Sequence, residues 1–73
     1  MPKLYSSQYI AKVLQSKGFI YISQKGSHVK FSKHTKGTIL TVIVPANRRE
    51  IPHGTFKSIL RQANLTKEDF DNK

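Results

Sequence analysis

Three short strand-forming segments in the middle of the chain are the feature that most constrains its fold. Aromatic and β-branched residues fill positions 19–22, and apolar and polar residues alternate after Gly26. A third, apolar run at positions 38–44 stops at Pro45. Glycine-containing segments at residues 24–26 and 33–37 are predicted as the turns between the strands. Sequential strands joined by short turns predict an antiparallel three-stranded meander.

The second strand has two chemically different faces. Side chains alternate along a strand, so Val29 and Phe31 point one way, whereas His28 and Lys30 point the other way. If the apolar pair packs on the core, the imidazole and the ammonium group project from the wetter face of the sheet.

An amphipathic helix precedes the strands and a second one follows them. Apolar residues three and four positions apart predict both helices: Ile10, Val13 and Leu14 in the first, and Phe56, Ile59, Leu60 and Ala63 in the second. Ser6 or Ser7 is expected to cap the first helix and Thr55 the second, and Gly18 and Asn64 are expected to end them. The predicted fold class is α+β, in the order α-β-β-β-α, with both helices on one face of the sheet.

The last residues predict a short helical turn. Thr66 and Asp69 resemble a capping box in which Asp replaces the usual Glu, and Phe70 is then expected to turn inward. With 73 residues, the chain is expected to form a single domain over residues 1–73, near the lower size limit for an unaided hydrophobic core.

The amino-acid composition excludes several kinds of site and location. The chain has no cysteine, which excludes disulfides and thiolate metal sites, and its most apolar run is too short to span a bilayer. No apolar run of signal-peptide length stands at the start. The protein is expected to be cytoplasmic, with no membrane partner and no cofactor.

Positive charge is concentrated in the first two thirds of the chain. Residues 1–49 carry nine Lys and Arg side chains and no Asp or Glu, whereas residues 50–73 carry four of each sign. The net charge of +9 favours binding to nucleic acid, to an anionic membrane surface or to an acidic protein. A basic surface that serves only solubility would have the same composition.

The segment from Gln24 to His28 contains the best candidates for catalytic residues. His28 follows a glycine turn, with Lys25 three residues before it and Lys30 two residues after it. An imidazole exchanges protons near neutral pH, and lysines hold an anion, which together suit the cleavage of a phosphodiester without a metal. A neighbouring lysine favours the neutral imidazole, so the preferred role of His28 is general base. The donor to the leaving oxygen stays open between Ser27, a lysine and water.

Other polar residues are weaker candidates. The N-terminus of the second helix, at Gly54 and Thr55, offers amide groups to an anion. His34 and His53 are expected to be a turn residue and a loop residue, and the spacing of the histidines matches no usual metal site. The predicted RNA-binding set comprises Lys25, Gly26, Ser27, Lys30, Arg48, Arg49, Thr55 and Lys57.

The chain resembles the HicA family of bacterial toxins in several motifs that occur in order. These are Gly18-Phe19, Gln24-Lys25-Gly26-Ser27-His28, Val44-Pro45, residues 54–63, and Leu65 with Phe70. The resemblance implies a fold similar to a double-stranded RNA-binding domain and an activity as a messenger RNA interferase. It also implies that His28 is the single catalytic residue and that an antitoxin of the HicB family neutralises the enzyme.

The chain departs from the family pattern at two positions. Asn47 stands where many members have a histidine, and Ser23 stands where many have an arginine. The first change removes a candidate second imidazole, and the second removes a candidate phosphate ligand.

Two other classes of function fit the same residues. A non-catalytic double-stranded-RNA-binding module would have the same topology and charge. A protein-interaction module could use the basic face only to hold an acidic partner. Replacement of His28 separates an enzyme from a pure RNA binder, since only an enzyme has cleavage to lose.

Overall fold

The computed structural model describes residues 4–71 and confirms the predicted order of elements, α-β-β-β-α, followed by a short terminal helix. The elements are α1 (Ser7–Ser16), β1 (Ile20–Lys25), β2 (His28–Thr35), β3 (Thr38–Pro45), α2 (His53–Ala63) and α3 (Lys67–Asp71). The three strands form one antiparallel sheet in the order β1-β2-β3. The fold is therefore α+β with an open three-stranded sheet, and its likeness to a double-stranded RNA-binding domain stays a prediction.

The turns between the strands are shorter than the sequence predicts. Strand β1 continues to Lys25 and strand β2 to Thr35, so each turn contains only two residues. These turns need positive φ angles, which Gly26 (+59°), Lys36 (+44°) and Gly37 (+80°) provide. Strand pairing extends to the turns because each added residue pair satisfies backbone groups that a longer turn would leave to water.

Pairing across the sheet fixes which side chains share a face. Phe31 lies opposite Val42 on β3 and opposite Tyr21 on β1, and both Phe31 and Val42 are buried beneath the helices. The register shifts between Tyr21 and Ser23, where β1 has a bulge. Beyond the bulge, Lys25 lies opposite His28 on the uncovered face, as the alternation in the sequence predicts.

One apolar layer between the helices and the sheet forms the core. The predicted residues of both helices are buried, except that Leu60 is only half-buried. Ile51, in the loop before α2, is fully buried, and its N–H donates to the carbonyl of Tyr5 (2.8 Å). The core contains Tyr5, Ile10, Val13, Leu14, Phe19, Phe31, Val42, Val44, Ile51, Phe56, Ile59, Ala63 and Phe70.

The ends of α1 follow the prediction, but the start of α2 does not. Ser6 caps α1 by accepting from the N–H of Tyr9 (3.1 Å), and Gly18 follows the helix with φ +97°. Helix α2 begins at His53, not after a Thr55 cap, because Pro52 occupies the N-cap position and its carbonyl accepts the first helical hydrogen bond, from the N–H of Phe56 (2.9 Å). Thr55 therefore lies inside the first turn, and His53 is helical and not a loop residue.

Aromatic side chains hold α3 against α1 and the residue Tyr5 that precedes it. Phe70 is fully buried, as predicted, and its ring lies 5.1 Å from Phe56 and 6.0 Å from Tyr5, centroid to centroid. The hydroxyl of Tyr5 donates to the carboxylate of Asp71, and that of Tyr9 donates to the carbonyl of Phe70. The hydrogen bond to Asp71, together with burial, raises the pKa of Tyr5 to about 12.

The predicted capping interaction at α3 makes stability depend on pH. The carboxylate of Asp69 accepts from the N–H and the hydroxyl of Thr66 (2.8 and 3.1 Å) and lies 3.4 Å from the ammonium nitrogen of Lys17. The hydrogen bond from the Thr66 amide, followed by the Thr66 hydroxyl and Lys17, lowers the pKa of Asp69. A lowered carboxyl pKa adds stability above the unfolded value, and this stability is lost as the pH falls through the folded value.

We expect Asp69→Asn to lower the free energy of unfolding at pH 7, and we expect the difference from the wild type to shrink as the pH falls from about 4 through the lowered pKa of the folded state, because protonation of Asp69 weakens its contacts with Thr66 and Lys17. Urea unfolding of both proteins at pH 7 and pH 3 measures the two differences. Glu50→Gln, in the loop before α2, is the control for removing one carboxylate. An equal Asp69→Asn difference at the two pH values would contradict the assignment.

Candidate functional site

A cavity on the uncovered face of the sheet brings His28 together with two predicted lysines. It has a volume of about 490 Å³ and is lined by Ser23, Lys25, His28, Lys30 and Ile43. Lys25 pairs with His28, and Ser23 pairs with Lys30, so all four side chains share one face. We call this the histidine cavity.

The backbone around His28 is held on both sides. Gly26 begins the turn with a positive φ, and the side-chain amide of Gln24 donates to the Gly26 carbonyl (3.1 Å). The N–H of Ala46 donates to the carbonyl of Ser27 (2.7 Å), which joins the turn to the end of β3. The imidazole is thus exposed to solvent on a backbone that neighbouring strands fix.

The charges in the histidine cavity suit an anion. Two lysines line the cavity together with His28, and none of the described residues that line it is acidic. Asp69 and Asp71 are occupied elsewhere, with Lys17 (3.4 Å) and Lys67 (3.9 Å). A bound phosphate would meet positive charge on both sides of a group that can transfer protons.

The other predicted site residues lie elsewhere, apart from Gly26 and Ser27, which form the turn itself. Arg48 and Arg49 line a second cavity of about 280 Å³, together with Ser6, Ser7, Gln8 and Asn47. Thr55 and Lys57 lie in α2, and among the described residues neither lines the histidine cavity. The structure therefore gathers Lys25 and Lys30 around His28 but does not gather Arg48, Arg49, Thr55 and Lys57 there.

The two departures from the family pattern fall in different places. Ser23 lines the histidine cavity, so an arginine at this position would add a cation to it. Asn47, with a left-handed φ of +56°, lies beyond the end of β3 and lines the cavity of Arg48 and Arg49. A histidine at position 47 would therefore not share a cavity with His28.

Ser7 holds the loop that carries the two arginines, a role that the sequence analysis did not predict. Its hydroxyl donates to the carbonyl of Pro45 (2.6 Å) and accepts from the N–H of Arg48 (3.0 Å), and its own N–H donates to the carbonyl of Arg48 (2.9 Å). Ser7 is only 8% exposed. Two consecutive serines before a helix were the available signal, since only one of them can be the cap.

The remaining histidines are remote from this site. His34 shares the face of His28 but lies near the opposite end of β2, opposite Ile39, and His53 begins α2. Within residues 4–71, no three His, Asp or Glu side chains are grouped in a way that could hold a metal ion. In the same part of the chain, every helix is too short or too polar to cross a membrane.

The fold and the site define a small, basic α+β protein with a histidine between lysines on an open sheet. A family model described as HicA toxin of bacterial toxin-antitoxin matches residues 8–65, which is well over half of the chain and includes His28. The chain belongs to the HicA family, the toxins of bacterial toxin–antitoxin pairs. A search of curated proteins finds no match.

We expect Ser7→Ala to lower the free energy of unfolding by about 1 to 3 kcal/mol, because it leaves the N–H of Arg48 and the carbonyl of Pro45 without their buried partner. Urea unfolding measures the loss. Ser23→Ala, an exposed serine on the other face of the sheet, is the matched control and should change stability by less than about 0.5 kcal/mol. Equal effects of the two variants would show that Ser7 does not hold the loop.

Proposed function

We propose that this chain is an endoribonuclease toxin that cuts messenger RNA through His28 and that an antitoxin of the HicB type neutralises it. The observation that carries the proposal is the histidine cavity, which an exposed imidazole lines together with two lysines, and among the described residues that line it none is acidic. Membership of the HicA family supports the same activity, because the family is associated with RNA-cleaving toxins.

The chemistry requires one proton transfer at each end of the reaction. His28, as general base, takes the proton of a ribose 2′-hydroxyl, and the 2′-oxygen attacks the adjacent phosphorus. The bond from phosphorus to the 5′-oxygen then breaks, which gives a 2′,3′-cyclic phosphate and a 5′-hydroxyl. The leaving oxygen takes a proton from a second donor, for which the cavity offers Lys25, Lys30 and the hydroxyl of Ser23.

Positive charge stabilises the transition state of this reaction. The attack places extra negative charge on the phosphoryl oxygens, and preorganised cations lower the energy of that state more than the energy of the bound RNA. Lys25 lies opposite His28 on β1 and Lys30 lies two residues after His28 on β2, so the sheet sets the backbone separation of the two lysines before RNA binds. The remaining candidates, Arg48, Arg49, Thr55 and Lys57, are proposed to bind phosphates farther along the strand.

The face of the sheet that the helices leave uncovered offers an inhibitor both positive charge and exposed apolar residues. Ile20 and Ile39 lie on this face and are 60% and 59% exposed. With a net charge of +9, the surface attracts an acidic partner, and the isoleucines give that partner apolar area to bury. The proposed antitoxin thus blocks His28 by occupying the face that RNA must reach.

We expect His28→Ala to lower the rate of RNA cleavage at least about a hundredfold, because it removes the general base, while the affinity for RNA stays within about twofold. Single-turnover cleavage of a labelled transcript and filter binding measure the two quantities. His34→Ala, on the same face and strand, is the matched control and should cleave normally.

Cleavage that persists in His28→Ala would remove His28 from the reaction. If the wild-type protein bound RNA but cut none, the non-catalytic RNA-binding module would replace the enzyme. Toxicity on expression without an antitoxin should follow the same order, with His28→Ala harmless and His34→Ala toxic.

We expect Lys25→Glu and Lys30→Glu each to lower the cleavage rate at least roughly tenfold, because each replaces a cation beside the scissile phosphate with an anion. Lys36→Glu makes the same charge change at the turn between β2 and β3, away from His28, and should have a smaller effect. The same single-turnover assay applies, at fixed salt. Equal losses in all three variants would mean that the lysines act only through net charge.

A further inference from the structure

A cavity on the opposite side of the β1–β2 hairpin has a different chemistry from the histidine cavity. It has a volume of about 250 Å³ and lies between α1, the hairpin and the end of β3. We call it the neutral cleft. Its lining residues are Ser7, Gln8, Ala11, Gln15, Tyr21, Gln24, Val29, Phe31, Val44, Pro45, Ala46 and Asn47.

The neutral cleft lacks charge on a strongly basic protein. Among the described residues that line it, none is charged, although the chain carries a net charge of +9. The cavity of Arg48 and Arg49 adjoins the neutral cleft, with which it shares three lining residues, Ser7, Gln8 and Asn47. The histidine cavity, with Lys25 and Lys30, lies on the other face of the hairpin. Phosphate would therefore bind beside the neutral cleft and not in it.

Amide and aromatic side chains dominate the polar part of the lining. Four carboxamides contribute donors and acceptors: Gln8, Gln15, Gln24 and Asn47. Tyr21 is 54% exposed, and its ring is set edge-on against the buried Phe31, with centroids 6.2 Å apart and planes at 86°. An exposed aromatic ring beside carboxamides is the combination by which proteins stack and hydrogen-bond an unpaired nucleobase.

The size of the neutral cleft also suits one base. Pockets for drug-sized ligands span roughly 300 to 1,000 Å³, and a cleft of about 250 Å³ falls just below that range. A single planar heterocycle fits this space, whereas a nucleotide with its charged phosphate would extend toward the neighbouring cationic cavities.

The neutral cleft is close to His28 along the backbone. Gln24 pairs with Val29, one residue from the pair of Lys25 and His28. Because successive side chains alternate, the two pairs point to opposite faces of the hairpin. An RNA strand that passes around the Gly26 turn could place a phosphate at His28 and a neighbouring base in the neutral cleft.

We propose that the neutral cleft binds one unpaired nucleobase of the RNA strand that is cut at His28, and that this base gives the toxin its sequence preference. This inference rests on the proposed function for its link to cleavage. We assign the stacking contact to Tyr21 and the contacts to the edge of the base to the carboxamides of Gln8 and Gln15 and the carboxamide oxygen of Gln24, whose nitrogen donates to Gly26.

The test measures binding without cleavage, in the His28→Ala background. Short single-stranded RNA oligomers that differ at one position, together with the same oligomer carrying an abasic site there, are titrated by fluorescence anisotropy at several salt concentrations. We expect base-dependent affinity in the parent and at least about a fivefold loss for Tyr21→Ala, which removes one stacking contact. Tyr21→Phe keeps the ring and should bind within about twofold of the parent.

Three further readouts separate a base site from a general effect. The salt dependence of binding should be the same in Tyr21→Ala as in the parent, because phosphate contacts are unchanged. Tyr21→Ala should not weaken binding of the abasic oligomer. Gln15→Leu, which removes a carboxamide from the exposed surface of α1, should reduce the difference in affinity between bases, and circular dichroism confirms that each variant is folded.

The inference is overturned if Tyr21→Ala and Gln15→Leu bind all oligomers as the parent does, if abasic and intact oligomers lose affinity equally, or if the parent binds no RNA. If these variants changed only the affinity for an acidic protein partner, the neutral cleft would be assigned to that partner, and the inference would be overturned as well. Failure of the proposed function looks different: base preference would persist in the binding assay, while the protein with His28 intact would cut no RNA.

Discussion

The register of β2 against both neighbouring strands is the constraint on which the rest of this structure depends. Strand β2 places Phe31 under the helices by pairing it with Val42, and the same alternation places His28 on the uncovered face. A slip of one residue would exchange the two faces, burying the imidazole and exposing the phenyl ring. The apolar core therefore fixes the position of the proposed catalytic group, although His28 contributes nothing to the core itself.

A single apolar layer must stabilise this small chain, and the ends of the chain complete that layer. Phe70 packs against Phe56 and Tyr5, so that the terminal helix closes the core where the first residues enter it. The other face of the sheet is left open, with Ile20 and Ile39 exposed. Exposed isoleucines lower solubility, and the lysines on the same face offset that cost and attract anionic partners.

Local patterns in the sequence were sufficient to predict the order of the elements and the exposed position of His28, but not the contacts between distant segments. The alternation of Val29 and Phe31 with His28 and Lys30 gave the exposed face correctly, and the apolar stripes gave both helices. The predicted cap at Thr55 was wrong because Pro52 starts α2 earlier. This shift reflects a local choice between two competing signals. The contact of Ser7 with the Arg48 loop, in contrast, spans 41 positions, and the two serines before α1 do not reveal the distant partner.

The neutral cleft is a second feature that local sequence patterns do not predict, and it bears on the proposed function. Gln8 and Gln15 lie on α1, and Gln24 lies on β1, so each looks like an ordinary solvated side chain until α1 packs beside the hairpin. Packing also separates the lysines from the carboxamides, because alternate residues of one hairpin face opposite ways. Cations on one face can hold any RNA backbone, since phosphate is the same at every position. Under the proposed function, discrimination among RNA sequences comes from an uncharged surface near the cations, and the hairpin presents both surfaces one residue apart.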